Sequence, residues 1–529
     1  MEHLKENKIS FYSIVISFMF LIYIGSIFIG STLLFAIHVS MTSFNFFVFP
    51  IIAMFIAKYF LDKDSSGINW KFMIFSIILF FVSAGLLAWI NNIIWDYSYD
   101  SLAYHQEAVI AIKNGWNPFY QSRIPMNLWV MHYAKASCVF AASIFKITNR
   151  IESAKILSSF LPLILLVLSF GAFYLITNKK KILSGFSALI LILNPIVLGQ
   201  SFTYYVDSML GIYVIFLIIN LVLILFYKDL TLFKYLTLVN IAVFLSNIKF
   251  TGLAYAGIIL LAFLICSFFF NKRKYNIRLL IFLICSLVIT VGVIGFNPYV
   301  TNTINNGNPL YPLAGKGKIN IMTNNTPLDY RYDGQFEQFY KSMVAVPSTL
   351  NPDGKPAKSF SQLFEVNSHV LTFYAGVDAR IRGFGVYSIL FLPISFIGLL
   401  YLLATCRNKR VLLYSILTLI FTFAVLFAGG AFWWARYINF IWLIPVGVGM
   451  LMMLKKSKIS KIIGLLLLIL LFVNSAILIP TMISFKIKQS DAVKNYIFSK
   501  QPLVIYENNF APSYINKAKE FHLKYKIVK

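Results

Sequence analysis

KFMIFSIILFFVSAGLLAWINNIIWDYSYDSLAYHQEAVIAIKNGWNPFY, residues 71–120, is the stretch whose reading decides the fold. After Lys71 its first half is an apolar run long enough to cross a bilayer core, which takes about 20 helical residues. Its second half abruptly supplies Asp96, Asp100, Tyr104, His105 and Glu107. Carboxylates are scarce in this chain, 19 Asp and Glu against 46 Lys and Arg, so two aspartates at the mouth of an apolar helix mark a candidate site.

The same character extends outward in both directions. Of 529 residues, 59% are apolar and 12% charged, and the mean hydropathy is +0.77. Such a composition excludes a water-soluble globular protein. The formal charge of +27 would suggest nucleic acid in a soluble chain, but here the basic residues fall in short clusters between apolar runs, where they set membrane topology, and no nucleic-acid partner is expected. The four cysteines, Cys138, Cys266, Cys285 and Cys406, lie far apart and imply neither a metal cluster nor a disulfide framework. The first apolar run is too long for a signal-peptide core and is expected to be a retained helix.

Thirteen apolar runs are candidate spans, near 11–37, 43–61, 72–94, 156–177, 182–199, 209–227, 233–248, 251–270, 279–297, 386–405, 411–430, 438–454 and 461–483. Lysine and arginine clusters occupy every second gap, from Lys5 and Lys8 through Lys179, Lys180 and Lys181 to Lys455, Lys456 and Lys458. By the positive-inside rule those gaps are cytoplasmic, which puts the N-terminus inside and the C-terminal tail outside. The expected architecture is an all-α polytopic membrane domain over 1–484 with a small extracytoplasmic tail at 485–529. Two long segments, 95–155 and 298–385, fall on the outer side and are expected to pack together over the membrane. The first reads as helical, with Leu102, Val109 and Ile112 as the apolar face of an amphipathic helix lying along the interface, and a turn at Gly115–Pro118. The second, rich in Asn, Gly and Pro, reads as ordered loop with short helices.

The polar residues near the outer face are few: Asp96, Asp100, Tyr104, His105, Glu107, Gln200, Asp207, Lys249, Asp378, Arg380, Arg382 and Arg436. An ionisable group at membrane depth costs about 2.5–3.5 kcal/mol on insertion scales, so it persists where it faces a cavity or has a partner. Lys249, between two apolar runs in SNIKFTGL, either serves a site or snorkels to the headgroups. Asp96 and Asp100 are four apart, so on a helix they would share a face and repel by a few tenths of a kcal/mol; either is equally suited to cap the helix beginning near Ser101. Asp207 is likewise placed to cap the next span or to serve a site.

In order along the chain, these segments resemble the type C (GT-C) membrane glycosyltransferases, a superfamily that includes aminoarabinose transferases and protein O-mannosyltransferases. YDSLAYHQEAV resembles the family's first-loop Asp followed by Tyr-His, and NPIVLGQSFTYYVDS a second-loop region with another acid. SNIKFTGL resembles a Lys-Phe-Thr-Gly turn, NPYVTNTINNGNPLYPLAG and DARIRGFG the opening and closing of the large outer loop, and WWARYINFIWLIP the late Arg-Tyr motif. The likeness covers about residues 75–455. It implies a GT-C fold in a bacterial plasma membrane and an inverting transfer of a sugar from a polyprenyl-phosphate donor to a glycan, lipid or protein hydroxyl. It further implies Asp100 as catalytic base with Asp207 and Asp96 as further acids, Lys249, Arg436, Arg380 and Arg382 on the donor phosphate, and Tyr104 and His105 lining the pocket. Relatives commonly carry an adjacent acidic pair, absent here, so a divalent cation (Mg or Mn) would have to recruit Asp96, Asp100 and Asp207. Two rival readings share the many spans: a glycan polymerase or ligase of the O-antigen type, and a transporter or flippase of lipid-linked sugars.

Overall fold

The structure is a computed structural model that describes residues 4–120, 127–227, 229–345, 361–378, 380–430, 432–499 and 501–529. Parts of both long outer segments, 121–126 and 346–360, and Ala379 of DARIRGFG lie outside the described residues. All thirteen apolar runs are helical. Among the described residues nine helices are long and apolar enough to cross a membrane, with shorter apolar helices such as Lys181–Ile192, Thr231–Ser246 and Ser388–Ala404 between them. This is an all-α, multi-pass membrane architecture. Helices suit it because hydrocarbon offers backbone amides no partner, so each segment must satisfy its own. Where a helix begins, a polar side chain takes a freed amide: Asn7 accepts from Ser10 N (3.3 Å), Asn69 from Phe72 N (3.0 Å) and Asn408 from Arg410 N (3.0 Å).

Lys8–Ala36 is the central helix, packed against Phe44–Lys63, Leu157–Ile176 and Thr231–Ser246, with Phe18, Tyr23 and Ile24 fully buried. Its Tyr23 hydroxyl lies 2.8 Å from the Ser76 hydroxyl on Trp70–Ile93. Large apolar side chains such as Phe55, Phe75, Trp89 and Leu466 stand exposed, as a lipid-facing perimeter requires. The lysine-bearing connections gather at one end: Lys5 N donates to Asp229 (3.2 Å), and Asp64 accepts from Leu232 N and Phe233 N (3.1 and 2.8 Å). The alternate connections, which carry Asp96, Asp100, Asp207 and Asp378, gather at the other.

Two expectations change. The helix Gln106–Lys113 is not free along a membrane surface; it is covered by Ala136–Thr148 and by the C-terminal helix Ala511–Glu520, with Val109 and Ile112 fully buried. The tail does not begin as a separate piece at 485, which falls inside the helix Ile479–Phe498. The last long helix, broken near Ile477, continues through Phe498, and beyond it strands Leu503–Tyr506 and Tyr525–Val528 pair in parallel around Ala511–Glu520, in the register Leu503 with Tyr525. Leu503 and Ile505 face inward and Val504 and Tyr506 outward, the period-two pattern of a half-covered strand. The inward face packs on Trp95, Val493 and Ile497.

Candidate active site

A cavity of about 680 Å³ opens among the alternate connections. Among the described residues its charged lining consists of Asp100, Asp207, Asp378, Lys249, Arg380 and Arg436. Three carboxylates face three cations, so the formal charges cancel. Tyr104, His105, Trp129, Tyr133, Tyr205, Trp434 and Tyr437 supply aromatic faces to the remaining wall.

Arg436 is the hub. It enters on the helical turn Ala435–Trp442 and is placed by Asn439, whose amide donates to Arg436 O (2.7 Å) and Asp207 O (2.8 Å). This approach requires glycine at 211, since a Cβ there would lie 1.7 Å from Asn439 Oδ1. Asp207 and Arg436, 229 positions apart in the chain, are thereby registered by backbone contacts. The guanidinium lies 3.4 Å from Asp100, 3.5 Å from Asp207 and 3.4 Å from Asp378, and stacks on Trp434 with 4.5 Å to the ring centroid.

Beyond Arg436 the three carboxylates differ in what else holds them. Asp207, at the first turn of Asp207–Phe226, does not cap that helix; its Oδ1 takes Lys249 Nζ at 2.6 Å. Lys249 does not snorkel. It is buried, packs over Tyr437 at 4.0 Å from the centroid, and although burial pulls its pKa down, Asp207 more than offsets this and holds it above the ordinary lysine range. Asp378 accepts from Arg380 Nε (3.0 Å) and Trp434 Nε1 (3.1 Å). Among the described residues Asp100 has only the long contact to Arg436 from a side chain, and at 21% it is the most exposed of the three. It occupies the N-cap position of the short π-helical turn Ser101–His105 but makes no cap bond, so its carboxylate is left to the cavity.

Tyr104 and His105 line the cavity, their rings 4.4 Å apart. Burial pushes the His105 imidazole down to about 3, with Asp207 opposing and Lys249 and Arg436 assisting, so it is neutral near pH 7. Asp96 and Arg382 are placed elsewhere. Asp96 is fully buried behind the cavity, accepting from Ser98 N (2.9 Å), Ser98 Oγ (2.6 Å) and Tyr204 N (2.8 Å). Arg382 is buried too, donating to Leu363 O (2.6 Å) and Val386 O (2.7 Å), which ties the loop and leaves its guanidinium out of reach of a phosphate in the cavity.

The metal set of Asp96, Asp100 and Asp207 is therefore not assembled. Asp96 turns away, Asp207 is held by Lys249 and Arg436, and among the described residues no group of three His, Cys, Asp or Glu is placed to hold an ion. Asp378 is the residue sequence reasoning passed over. It stood among the outer-face polar residues without a role, although its position two before Arg380 in DARIRGFG was a signal. No family model, curated protein or solved structure matches this chain.

Proposed function

We propose that this chain is an inverting glycosyltransferase of the GT-C type, moving a sugar from a polyprenyl-phosphate donor to a glycan, lipid or protein hydroxyl at the outer face of a bacterial plasma membrane. In this reading the N-terminus is cytoplasmic and the C-terminal unit extracytoplasmic. The observation that carries it is the grouping of one lightly held carboxylate, Asp100, with three cations at one end of an apolar helical bundle, in a cavity of a size suited to a small ligand.

The acceptor oxygen attacks the anomeric carbon of the donor sugar, and its proton passes to Asp100, a step that typically contributes about 10²- to 10⁴-fold. The new glycosidic bond forms as the bond from carbon to phosphate oxygen breaks, and the electron pair leaves on the phosphate. That leaving group stays anionic, so fixed cations stabilise it without moving. Arg436, Lys249 and Arg380 fill this role, each worth on the order of 4 kcal/mol at about 4 Å and an effective dielectric near 20, before desolvation is subtracted. The aromatic walls suit the apolar faces of a sugar ring, and neutral His105 remains free to exchange hydrogen bonds with its hydroxyls.

Protein reconstituted in vesicles with a labelled polyprenyl-phosphate sugar tests the proposal. Transfer of one sugar with inverted configuration supports it. Movement of intact lipid-linked sugar across the bilayer without bond cleavage would show a flippase instead, and transfer of whole oligosaccharides a polymerase or ligase. Mass spectrometry of co-purified lipid would identify the carrier.

A further inference from the structure

The cavity does not account for a buried cluster of four charged side chains that lies behind it. Glu152 is 2% exposed, Lys155 1%, and Asp96 and Lys517 0%. Glu152 takes ion pairs from both Lys155 and Lys517, and its Oε2 also accepts from Asp96 N at 2.9 Å. Two carboxylates and two ammonium groups balance one another. A buried, hydrogen-bonded quartet of this kind fixes geometry more than it adds stability.

Its connections run to both carboxylate-bearing loops. Asp96 binds Ser98, whose hydroxyl reaches Ser101 (2.6 Å) beside Asp100. Through Oδ2 it also binds Tyr204 N (2.8 Å), which shares the Ser101 hydroxyl (3.1 Å) and stands three residues before Asp207. Asp96 and Ser101 thus join the Asp100 turn to the Asp207 loop through Tyr204 N, apart from the bridge that Arg436 makes inside the cavity. The C-terminal segment grips the same two loops. Besides Lys517 on Glu152, Ser513 Oγ donates to Leu102 O (2.8 Å), Ser490 Oγ accepts from Trp95 N (2.8 Å), and buried Lys486 donates to Gly199 O (2.6 Å) and Ser201 O (2.7 Å).

We infer that Asp96, Glu152 and Lys517 are positioning residues that set the distance between Asp100 and Asp207, and that the C-terminal αβ unit is part of the active-site scaffold, not a dispensable cap. Their effect on transfer rests on the glycosyltransferase reading; their effect on the loops does not. A displacement of about 1 Å at a reacting group can cost on the order of 100-fold in rate, so a loosened Asp96 acts on turnover through Asp100.

Two measurements on the full-length protein test this. In the first, Asp96→Asn lowers kcat about 10- to 100-fold with donor KM within about twofold, yet causes no further loss when added to Asp100→Asn. Equal losses on both backgrounds, or none on the native one, would overturn the inference. In the second, hydrogen exchange is followed at the amides of Asp96, Ser98 and Tyr204 in Lys517→Met, with Lys517→Arg as the rescuing variant. Faster exchange confined to these two loops and restored by arginine supports the inference, whereas unchanged or uniformly faster exchange defeats it. Should Lys517→Met not accumulate, Glu152→Gln combined with Lys517→Met carries the measurement, because it keeps the cluster's formal charge balanced, with Asp96 against Lys155. The exchange result stands even if the wild-type protein transfers no sugar, an outcome that would reject only the proposed function.

Discussion

Replacing Asp100 with asparagine separates chemistry from folding more cleanly than any other single change in this site. At 3.4 Å and an effective dielectric near 20, the bare attraction between Asp100 and Arg436 is about 5 kcal/mol, but the carboxylate is 21% exposed and must surrender hydration to make that contact. Pairs of this kind have a net worth of about 1 kcal/mol or less. Arg436 also keeps Asp207 at 3.5 Å and Asp378 at 3.4 Å, so the guanidinium is not left unpaired. Asp100→Asn should therefore fold, accumulate and melt within a few degrees of the native protein. The asparagine amide, however, cannot take a proton from the acceptor, so transfer should fall about 10²- to 10⁴-fold. The assay is single-turnover transfer from labelled lipid-linked sugar in vesicles, with thermal unfolding followed in parallel. Near-normal transfer by a well-folded variant would remove Asp100 as the base; a large loss of stability would show that Asp100 holds Arg436 in place.

Four further outcomes are expected. Lys249→Met leaves buried Asp207 with only the longer 3.5 Å contact to Arg436 and should destabilise the protein, by up to about 3–5 kcal/mol, a loss read by thermal unfolding and largely recovered, without activity, by adding Asp207→Asn. Asp378→Asn frees Arg380 and one side of Arg436, and should change donor KM by about tenfold or more, each tenfold being about 1.4 kcal/mol of binding; an unchanged KM would leave Asp378 a structural partner of Trp434. Arg382→Met removes charge-assisted bonds to two carbonyls, each typically worth about 1.5–3 kcal/mol, so it should lower the melting temperature while the folded fraction keeps its donor KM. Burial raises the Glu107 carboxyl from 4.5 to about 7, so its proton is kept in the fold after the unfolded chain has released it. Stability should then fall as pH rises from about 4.5 to 7, and Glu107→Gln should flatten that slope in melts across the range.

Much of the fold is legible in the sequence because hydrocarbon imposes a local rule. Wherever roughly 20 apolar residues run together, the backbone must close its own hydrogen bonds, and all thirteen such runs are helical. The candidate site was legible in part for a related reason: charge is so costly in this chain that Asp100, Asp207, Lys249, Arg380 and Arg436 stand out individually. The αβ unit at the C-terminus was missed although LVIY at 503–506 has strand character, because four residues alone are too short to separate strand from loop.

What the sequence by itself determined is the class of molecule and the short list of residues that need partners. Which partner each one takes was decided by tertiary structure. Asp96 and Asp100 are equally acidic and four residues apart, yet one is sealed against Ser98 and Tyr204 and the other opens to the cavity. Arg380 and Arg382 differ by two positions, and one faces Asp378 while the other ties carbonyls at 363 and 386. Local pattern cannot separate such neighbours, because contacts from distant segments also decide them: Tyr204 on Asp96, Arg436 on Asp100, Trp434 on Asp378 and Leu363 on Arg382. The stretch 71–120 identifies a boundary where a membrane helix meets acid; only the return of Arg436, Lys249 and the C-terminal segment to that boundary makes it a site.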